Sequence, residues 1–285
     1  MGDIYLGLLI LAVLDAALFA VGRAVGLRVS QRGSNLVAIL SIAALIAYAA
    51  SLWDQVVLVR LLPFSNLVVV GNWYLPAAGW LGGLVSAQVN LANRRRWLSM
   101  SGLQCAALVT AISPLLGSVP HCGNQWDGSG ICFQTTHQTC SAASAATLLK
   151  MHGIDATEQE MAELCLTRNG TSWMGLYRGL KRKTASTDWD VEISACSANE
   201  LQALGPPAIL SVGLPSTDHL DLRTQAEFGW TPGVRHSIVL LGYTNDDLVD
   251  IAEPTAGVGR ERWSVSNLHE FYLGQCVRLV RRSGR

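Results

Sequence analysis

A cysteine and a histidine, almost a hundred residues apart, are the side chains best suited to covalent chemistry in this chain. Cys140 opens an apolar, helix-like run, and His236 opens a β-branched run that is typical of a strand. A thiol at a helix N-terminus and an imidazole carried by a sheet can act as a nucleophile and its general base. The positive end of the helix dipole and a nearby imidazolium both stabilise a thiolate. This pairing predicts nucleophilic catalysis by Cys140.

An acid and an amide complete the predicted site. Glu253 lies at the exit of a strand one hairpin after His236, so the chain returns to the same end of the sheet. An acid there can hold the imidazole in one tautomer, and Asp250 on the same strand is the alternative. Gln134 lies six residues before Cys140, from where its amide and the Cys140 backbone N–H can donate to an oxyanion. Each residue taken singly also has a purely structural interpretation.

These four residues together resemble the papain-like cysteine peptidases that process bacteriocin leaders at double-glycine sites. In that family a glutamine lies six residues before a cysteine at a helix start, a histidine opens an apolar strand, and an acid–proline pair follows. The match covers about Phe133–Val280. The resemblance implies a cysteine peptidase in which Cys140 attacks the carbonyl and His236 shuttles the proton. It further implies that Glu253 orients the imidazole and that Gln134 supports the oxyanion.

The chain departs from the family pattern in three respects. Thr139-Cys140-Ser141-Ala142 stands where the family usually has Asp-Cys-Gly-Pro, and Glu253-Pro254 stands where it has Asp-Pro. Leader-processing members carry the peptidase at the N-terminus of an ATP-driven exporter, whereas this chain has no P-loop and its domain follows apolar segments. Cleavage of a double-glycine leader is therefore not carried over. Neither a cofactor nor a metal is expected, because no cysteines and histidines have zinc-ligand spacing.

Apolar residues are concentrated in the first part of the chain. It has 285 residues, 50% of them hydrophobic and 15% charged, with a mean hydropathy of +0.30. A membrane span needs ~20 mostly apolar residues, and four segments qualify: about 4–21, 36–52, 72–91 and 97–116. The connector Val56–Val70 is interrupted by Arg60 and Pro63, which predicts a position at the membrane interface. We expect a transmembrane four-helix region over residues 1–118 and a peptidase domain over residues 119–285.

Arginines predict the orientation of these spans. The first and third loops carry three arginines each, and short loops rich in arginine stay cytoplasmic. Four spans with both ends outside fit this pattern, which predicts a multi-pass protein of a bacterial inner or plasma membrane with an extracytoplasmic C-terminal domain. The first span lacks a basic n-region and is not expected to be a cleavable signal peptide. In an oxidising compartment Cys122 and Cys132 could form a disulfide, the alternative being two free thiols.

The C-terminal domain is predicted to have helices first and antiparallel strands afterwards, which is an α+β layout. Helices are expected at about 140–152, 157–166 and from a cap at Thr171 or Ser172 to about 181. Gly153 is expected to end the first helix, and Thr157 to open the second with a capping box to Glu160. Strands are expected at about 190–194, 208–213, 236–243, 248–252 and 275–281, with a short helical turn at 199–204 and a turn at 244–247.

Three other functions compete with a membrane-anchored cysteine peptidase. One is a catalytically silent peptide-binding domain on a membrane bundle, against which the presence of all four site residues argues. A second is an envelope amidase or transpeptidase that uses the same acyl-thioester chemistry. A third is a small transporter, which is disfavoured because Asp15 is the only acid in the spans. Asp15 itself is either functional, as intramembrane acids often are, or a structural acid with its hydrogen bonds satisfied within the bundle. The expected partners are a peptide or protein substrate and the lipid bilayer, with no nucleotide and, at a net charge of +0, no nucleic acid.

Overall fold

The chain folds as two compact units. The computed structural model describes residues 1–53, 55–88, 92–214, 230–244 and 247–282. The units are Met1–Leu116 and Gly117–Arg285. Each is described by itself below.

The first unit is entirely helical in its described residues. Its helices are α1 (Gly2–Arg28), α2 (Gln31–Ser51), α3 (Val56–Leu61), α4 (Leu67–Val70), α5 (Tyr74–Ser86) and α6 (Asn93–Ile112), the last continued by a 3₁₀ turn at Ser113–Leu115. Four segments are long and apolar enough to cross a membrane: Gly2–Arg28, Gln31–Ser51, Leu67–Ser86 and Asn93–Leu115. The third begins five residues before the predicted position 72, and its predicted end at 89–91 lies outside the described residues.

Close packing of α1 against α5 depends on glycines. A Cβ placed on Gly79 would lie 2.3 Å from the Asp15 carbonyl oxygen, and one on Gly83 would lie 2.2 Å from the Phe19 carbonyl oxygen. Only residues without a Cβ allow this approach, as is usual between membrane helices. The carboxylate of Asp15 accepts a hydrogen bond from Gln104 Nε2 at 3.2 Å. The acid is therefore satisfied within the bundle, in agreement with the structural interpretation.

The connector between the second and third spans folds into α3 and α4. The side chains of Val56, Leu58, Val59 and of Leu67–Val69 are buried in the unit, and the position of the connector at the membrane interface stays a prediction. Val69 packs on α1, where a Cβ at Gly7 would lie 3.2 Å from it. Arg60 lies within α3 with its side chain exposed, and Pro63 follows that helix, so both short helices still bury their apolar faces.

The second unit has the predicted α+β layout. Helices α7 (Cys140–Met151), α8 (Glu158–Leu164) and α9 (Trp173–Lys183) precede a six-stranded antiparallel sheet. Its strands, in spatial order, are β1 (Trp189–Ala195), β6 (Tyr272–Arg281), β2 (Ala208–Val212), β3 (His236–Tyr243), β4 (Leu248–Glu253) and β5 (Gly259–Ser264). Helix α10 (Ala198–Leu204) precedes β2, and α11 (Val265–Phe271) precedes β6. Strand β5 and helix α11 were not predicted, and positions 245–246 of the predicted turn lie outside the described residues.

Local signals at the helix ends are confirmed in part. Gly153 adopts a φ of +72° after α7, as the prediction of a left-handed terminating residue requires. Thr157 accepts a hydrogen bond from the Glu160 N–H at 3.1 Å. The Glu160 carboxylate, however, pairs with Lys183 Nζ at 2.6 Å, so only half of the predicted capping box forms. Ser172 caps α9.

Packing on both faces of the sheet positions the ends of α7 and β3. Every residue of α7 from Cys140 to Leu149 is buried, and the helix lies on β2 and β3. The opposite face is covered by α10 and α11, through a cluster that includes Leu201, Leu210, Ile238, Ile251, Leu268 and Phe271. The small side chains of α7 bring its backbone close to the sheet, so the first residue of α7 is held near the first residue of β3.

The disulfide considered between Cys122 and Cys132 is not formed, and both thiols are free. The Cys122 Sγ lies 3.6 Å from the Pro120 carbonyl oxygen, and the Cys132 Sγ lies 3.9 Å from the Phe133 carbonyl oxygen. Burial, followed by the negative charge of Glu158, raises the pKa of each thiol to about 12. Both cysteines are therefore protonated, buried side chains in this structure.

Candidate active site

His236 and Glu253 meet at one end of the sheet. Strands β3 and β4 pair antiparallel, so the start of β3 lies beside the end of β4. The Nε2 of His236 lies 2.7 Å from Glu253 Oε1, with both side chains largely buried. Asp250 instead pairs with Arg260 at 2.7 Å and Arg262 at 3.2 Å. The acid in contact with His236 is therefore Glu253.

Glu253 is held in place by more than the imidazole. Its side chain is 3% exposed, and Oε1 also accepts hydrogen bonds from the Thr255 N–H at 2.9 Å and the Thr255 hydroxyl at 2.6 Å. Burial favours the protonated form, but the hydrogen bond and charge of His236, with the two bonds from Thr255, lower the pKa of Glu253 below its ordinary value. A carboxylate in this position fixes the imidazole ring and stabilises its positive charge.

Cys140 is the first residue of α7 and contacts the same imidazole. Burial alone would raise the pKa of its thiol, since a buried thiolate loses its hydration. The hydrogen bond and charge of His236, together with the Ser237 backbone and the Ser141 hydroxyl, outweigh burial and lower the pKa of Cys140. Because Cys140 begins the helix, its N–H has no intrahelical acceptor. The residue thus combines a stabilised thiolate with an available backbone donor.

The imidazole of His236 carries the complementary charge. Burial lowers the pKa of a histidine, but hydrogen bonds to Cys140 and Glu253, and the negative charges of both, raise the pKa of His236 well above its ordinary value. Since Nε2 bonds to Glu253, Nδ1 is the ring nitrogen left for the thiolate. These pKa shifts favour a thiolate–imidazolium pair, with the Glu253 carboxylate on the far side of the ring.

Two serines connect the helix to the strand directly beside this pair. Ser141 and Ser237 each follow a member of the pair, and their hydroxyl oxygens lie 2.8 Å apart. Ser144 donates to the Ser237 carbonyl oxygen at 3.0 Å. These buried bonds fix the start of α7 against the start of β3. The family pattern has a glycine at the position of Ser141, so this contact is specific to the motif found here.

Gln134 is attached to the same end of the sheet through its backbone. Its N–H donates to the Pro254 carbonyl oxygen at 2.7 Å, so it lies beside the residue that follows Glu253. Its Oε1 is buried and has no hydrogen-bond partner among the described residues. His137, which precedes the nucleophile more closely, is exposed, in agreement with its interpretation as a solvated loop residue.

Trp230 is a site residue that sequence reasoning missed. Its ring is 7% exposed, and its centroid lies 5.2 Å from that of His236, with the planes inclined by 43°. An apolar ring at this distance excludes water from one side of the imidazole and strengthens its polar contacts. An isolated tryptophan ahead of a predicted strand offers no periodic pattern from which this contact could have been read. The described residues contain no group of three metal-ligating side chains.

Comparisons with known proteins find structural similarity only. No protein-family model and no curated protein matches the chain. Among solved structures, the peptidase domain of Streptococcus ComA, a bi-functional ABC transporter involved in quorum sensing, is similar at 18% identity and a TM-score of 0.41, covering 53% of this chain and 96% of that one. A double-glycine-motif protease from an AMS/PCAT transporter, solved with the leader peptide, is similar at 15% identity and a TM-score of 0.41, with 57% and 97% coverage. The N-terminal peptidase C39-like domain of a toxin-secretion ATP-binding protein from Vibrio parahaemolyticus is similar at 13% identity and a TM-score of 0.37, with 52% and 100% coverage. By their descriptions, these structures are peptidase or peptidase-like domains, and one of them is a double-glycine-motif protease.

Proposed function

We propose that this protein is a membrane-anchored, papain-like cysteine peptidase that hydrolyses peptide bonds through Cys140, His236 and Glu253. The observation that carries the proposal is the contact of one buried imidazole with a thiol on one side and a carboxylate on the other. The physical consequence is a thiolate near neutral pH, the form of cysteine that attacks carbonyl carbons. A purely structural cysteine in an apolar helix would have a raised pKa, as Cys165 has in this unit.

The acylation step follows from the positions of these groups. The Cys140 sulfur attacks the carbonyl carbon of the scissile peptide bond, and the carbonyl electron pair moves to oxygen. The N–H of Cys140 and the amide of Gln134 are the proposed donors to this oxyanion. The His236 imidazolium then gives its Nδ1 proton to the departing amine, and an acyl-thioester on Cys140 remains.

Deacylation uses the same residues in reverse. The neutral imidazole of His236 takes a proton from water, and the resulting hydroxide attacks the thioester carbonyl. The acid product leaves, and the thiolate–imidazolium pair is restored. Glu253 stays ionised throughout because its lowered pKa keeps the proton on the ring, and its role is to orient and stabilise the imidazolium.

The four apolar helical segments of the first unit support membrane anchoring. Side chains such as Leu6, Leu9, Leu36, Ile39 and Leu98 are exposed on that unit, which suits contact with lipid chains. The arginine-rich first and third loops support an extracytoplasmic peptidase domain. The proposed substrates are therefore peptides or proteins at the outer face of the membrane.

Alkylation of the full-length protein in detergent tests the nucleophile. We expect iodoacetamide at pH 7 to label Cys140 about 10- to 30-fold faster than an ordinary thiol, because only ~3% of an unperturbed thiol is ionised at that pH. Peptide mapping by mass spectrometry gives the rate at each cysteine. His236→Ala should remove the advantage, whereas the control His269→Ala, an exposed histidine on α11, should retain it.

Slow labelling spread over several cysteines would instead support the silent peptide-binding alternative.

A second experiment identifies the reaction once Cys140 is shown to be the labelled nucleophile. A peptide mixture is incubated with the wild type and with Cys140→Ala. New carboxyl termini that take up oxygen from labelled water indicate hydrolysis. Transfer of the acyl group to an added amine would instead indicate a transpeptidase.

A further inference from the structure

Glu158, on helix α8, is a buried carboxylate outside the proposed triad. It is 0% exposed, and no lysine, arginine or histidine lies within ion-pair distance of it in the described part of the chain. Its two oxygens accept hydrogen bonds from the Thr135 N–H and the Thr135 hydroxyl, each at 2.6 Å. Burying an acid without a cation is costly unless strong hydrogen bonds replace its water. Both of those bonds here come from a single residue.

Thr135 directly follows Gln134, the proposed oxyanion donor. The Thr135 N–H is held by Glu158, and the Gln134 N–H is held by the Pro254 carbonyl oxygen at 2.7 Å. The Thr135 hydroxyl also accepts a bond from the Gly123 N–H at 2.7 Å, which ties a second segment to the same point. Gln134 is therefore held between helix α8 and the strand exit that carries the orienting acid.

The side chain of Gln134 contributes little to its own orientation. Its buried Oε1 has no partner among the described residues, so no hydrogen bond to that oxygen fixes the amide. The orientation of the amide then depends on the backbone bonds at Gln134 and Thr135. An oxyanion donor is effective only when it is aligned in advance, because realignment during the reaction costs free energy.

We propose that Glu158 is a positioning residue for the oxyanion site, acting through Thr135 on Gln134. This inference rests on the proposed peptidase function and names the part of the fold that orients its oxyanion donor. Glu158 touches neither substrate nor reacting atoms. Its loss should therefore impair stabilisation of a tetrahedral adduct while leaving the Cys140–His236 pair unchanged.

Two thiol reagents separate these effects without knowledge of the natural substrate. Iodoacetamide is attacked at a saturated carbon and loses iodide, so its rate reports the thiolate and involves no oxyanion. Acetamidoacetaldehyde is attacked at its carbonyl carbon, forming a C–S bond while the carbonyl electron pair moves to oxygen. That oxygen takes a proton or accepts hydrogen bonds, and the hemithioacetal forms reversibly with no leaving group. Only the second adduct needs the oxyanion donors.

The experiment measures how well acetamidoacetaldehyde protects Cys140 from iodoacetamide in the full-length protein. We expect Glu158→Gln to raise the half-protecting aldehyde concentration by about tenfold, with the iodoacetamide rate unchanged within about twofold. Glu270→Gln, at an exposed position on α11, is the matched control and should behave as the wild type. Gln134→Ala should weaken protection, and adding Glu158→Gln to it should cause no further loss, because the two act on one donor.

The outcomes distinguish failure of the positioning role of Glu158 from failure of the peptidase proposal. Equal aldehyde protection in Glu158→Gln and the wild type, with rapid Cys140 labelling in both, overturns the positioning role alone. If the losses of aldehyde protection in Glu158→Gln and Gln134→Ala add fully in the double variant, the positioning role alone is again overturned. Absence of aldehyde protection in the wild type overturns the oxyanion role of Gln134 and this inference with it. Absence of selective Cys140 labelling in the wild type overturns the peptidase proposal. If Glu158→Gln does not fold, Thr135→Val keeps the N–H bond to Glu158 and removes the two hydrogen bonds of the hydroxyl, to Glu158 and to Gly123, and it should show a smaller loss of protection.

Discussion

At the scale of single residues, His236 uses its two ring nitrogens for two partners. Nε2 bonds to Glu253 at 2.7 Å, and Nδ1 is left for Cys140. The chain carries a glutamate where the family pattern has aspartate, yet the longer side chain still reaches the ring. Its Oε1 also receives both hydrogen bonds of Thr255, which compensate for the burial of the charge.

Substitution of the two candidate acids should have opposite outcomes. In Glu253→Gln the loss of negative charge lowers the pKa of His236 and reduces the thiolate fraction of Cys140. We expect about tenfold slower alkylation of Cys140 at pH 7. Asp250→Asn should stay within about twofold of the wild type, because Asp250 pairs with Arg260 and Arg262 instead. A slow Asp250→Asn and a normal Glu253→Gln would reverse this assignment.

The dependence of alkylation on pH follows from the direction of the two pKa shifts. The pKa of Cys140 is lowered from an ordinary 9.0, so its thiolate persists to lower pH than that of an ordinary cysteine and is lost as pH falls through the lowered value. The pKa of His236 is raised from 6.5, so the imidazolium persists at neutral pH and is lost as pH rises through the raised value. Labelling of Cys140 should be flat around pH 7, and peptide cleavage should be bell-shaped because acylation needs both charges.

His236→Ala provides the reference for that profile. Its Cys140 labelling should rise steadily with pH, as for a thiol without a cationic partner. A wild-type profile that also rises steadily through pH 9 would exclude the ion pair.

At the scale of elements, the ends of α7 and β3 meet because the helix is lined with small residues. The hydroxyls of Ser141 and Ser237 then fix the contact at 2.8 Å, one residue beyond each member of the ion pair. Segment 134–135 lies beside them, held by α8 on one side and the exit of β4 on the other. Three separate segments thus carry Cys140, His236 and Gln134, the proposed nucleophile, base and oxyanion donor.

The packing of α1 on α5 gives a matched pair of substitutions. A Cβ at Gly83 would lie 2.2 Å from the Phe19 carbonyl oxygen, whereas one at Gly82 would lie 3.6 Å from the nearest atom, an ordinary contact. We expect Gly83→Ala to lower helix-bundle stability by about 1–3 kcal/mol or more through overpacking, and Gly82→Ala to have little effect. Thermal unfolding and the yield of monodisperse protein in detergent measure the difference. Equal behaviour of the two variants would contradict the close approach.

At the scale of the whole molecule, an apolar helical unit and an α+β unit with the proposed Cys140–His236 pair occur in one chain. The exposed apolar side chains of the first unit suit lipid, whereas the second unit buries its apolar side chains in a core, as proteins in water do. This division agrees with the proposal of a membrane-anchored peptidase.

Reporter fusions test the side of the membrane. Alkaline phosphatase fused after the last residue should be active, because it folds only in an oxidising compartment, and green fluorescent protein should be dark there when exported unfolded. The same reporters fused after Arg32, in the first turn of α2 beside the predicted arginine-rich first loop, should give the reverse pattern. A fluorescent and phosphatase-inactive C-terminal fusion would place the peptidase domain in the cytosol.

Sequence patterns were sufficient for the elements that depend on local signals. Helix α7 begins at Cys140, strand β3 spans His236–Tyr243, and the antiparallel order returns Glu253 to His236, as predicted. Strand β5 was missed because its residues, Gly259-Arg-Glu-Arg-Trp-Ser264, are charged and form no apolar run. It is stabilised by pairing with β4 and by the arginine contacts of Asp250.

Sequence alone determined which residue types are present, the helix and strand periods and the four apolar segments, since each depends on near neighbours in the chain. The pairing of Cys140 with His236 joins residues far apart in sequence, and it was predicted from their resemblance to a family motif. Only the tertiary structure placed Glu253 rather than Asp250 beside His236, left Cys122 and Cys132 unbonded, buried the apolar side chains of α3 and α4 and placed Trp230 on His236. It alone also revealed the hydrogen bond that the Thr135 N–H donates to Glu158. These contacts join residues distant in sequence, and their geometry is set by packing and burial, which local patterns do not encode.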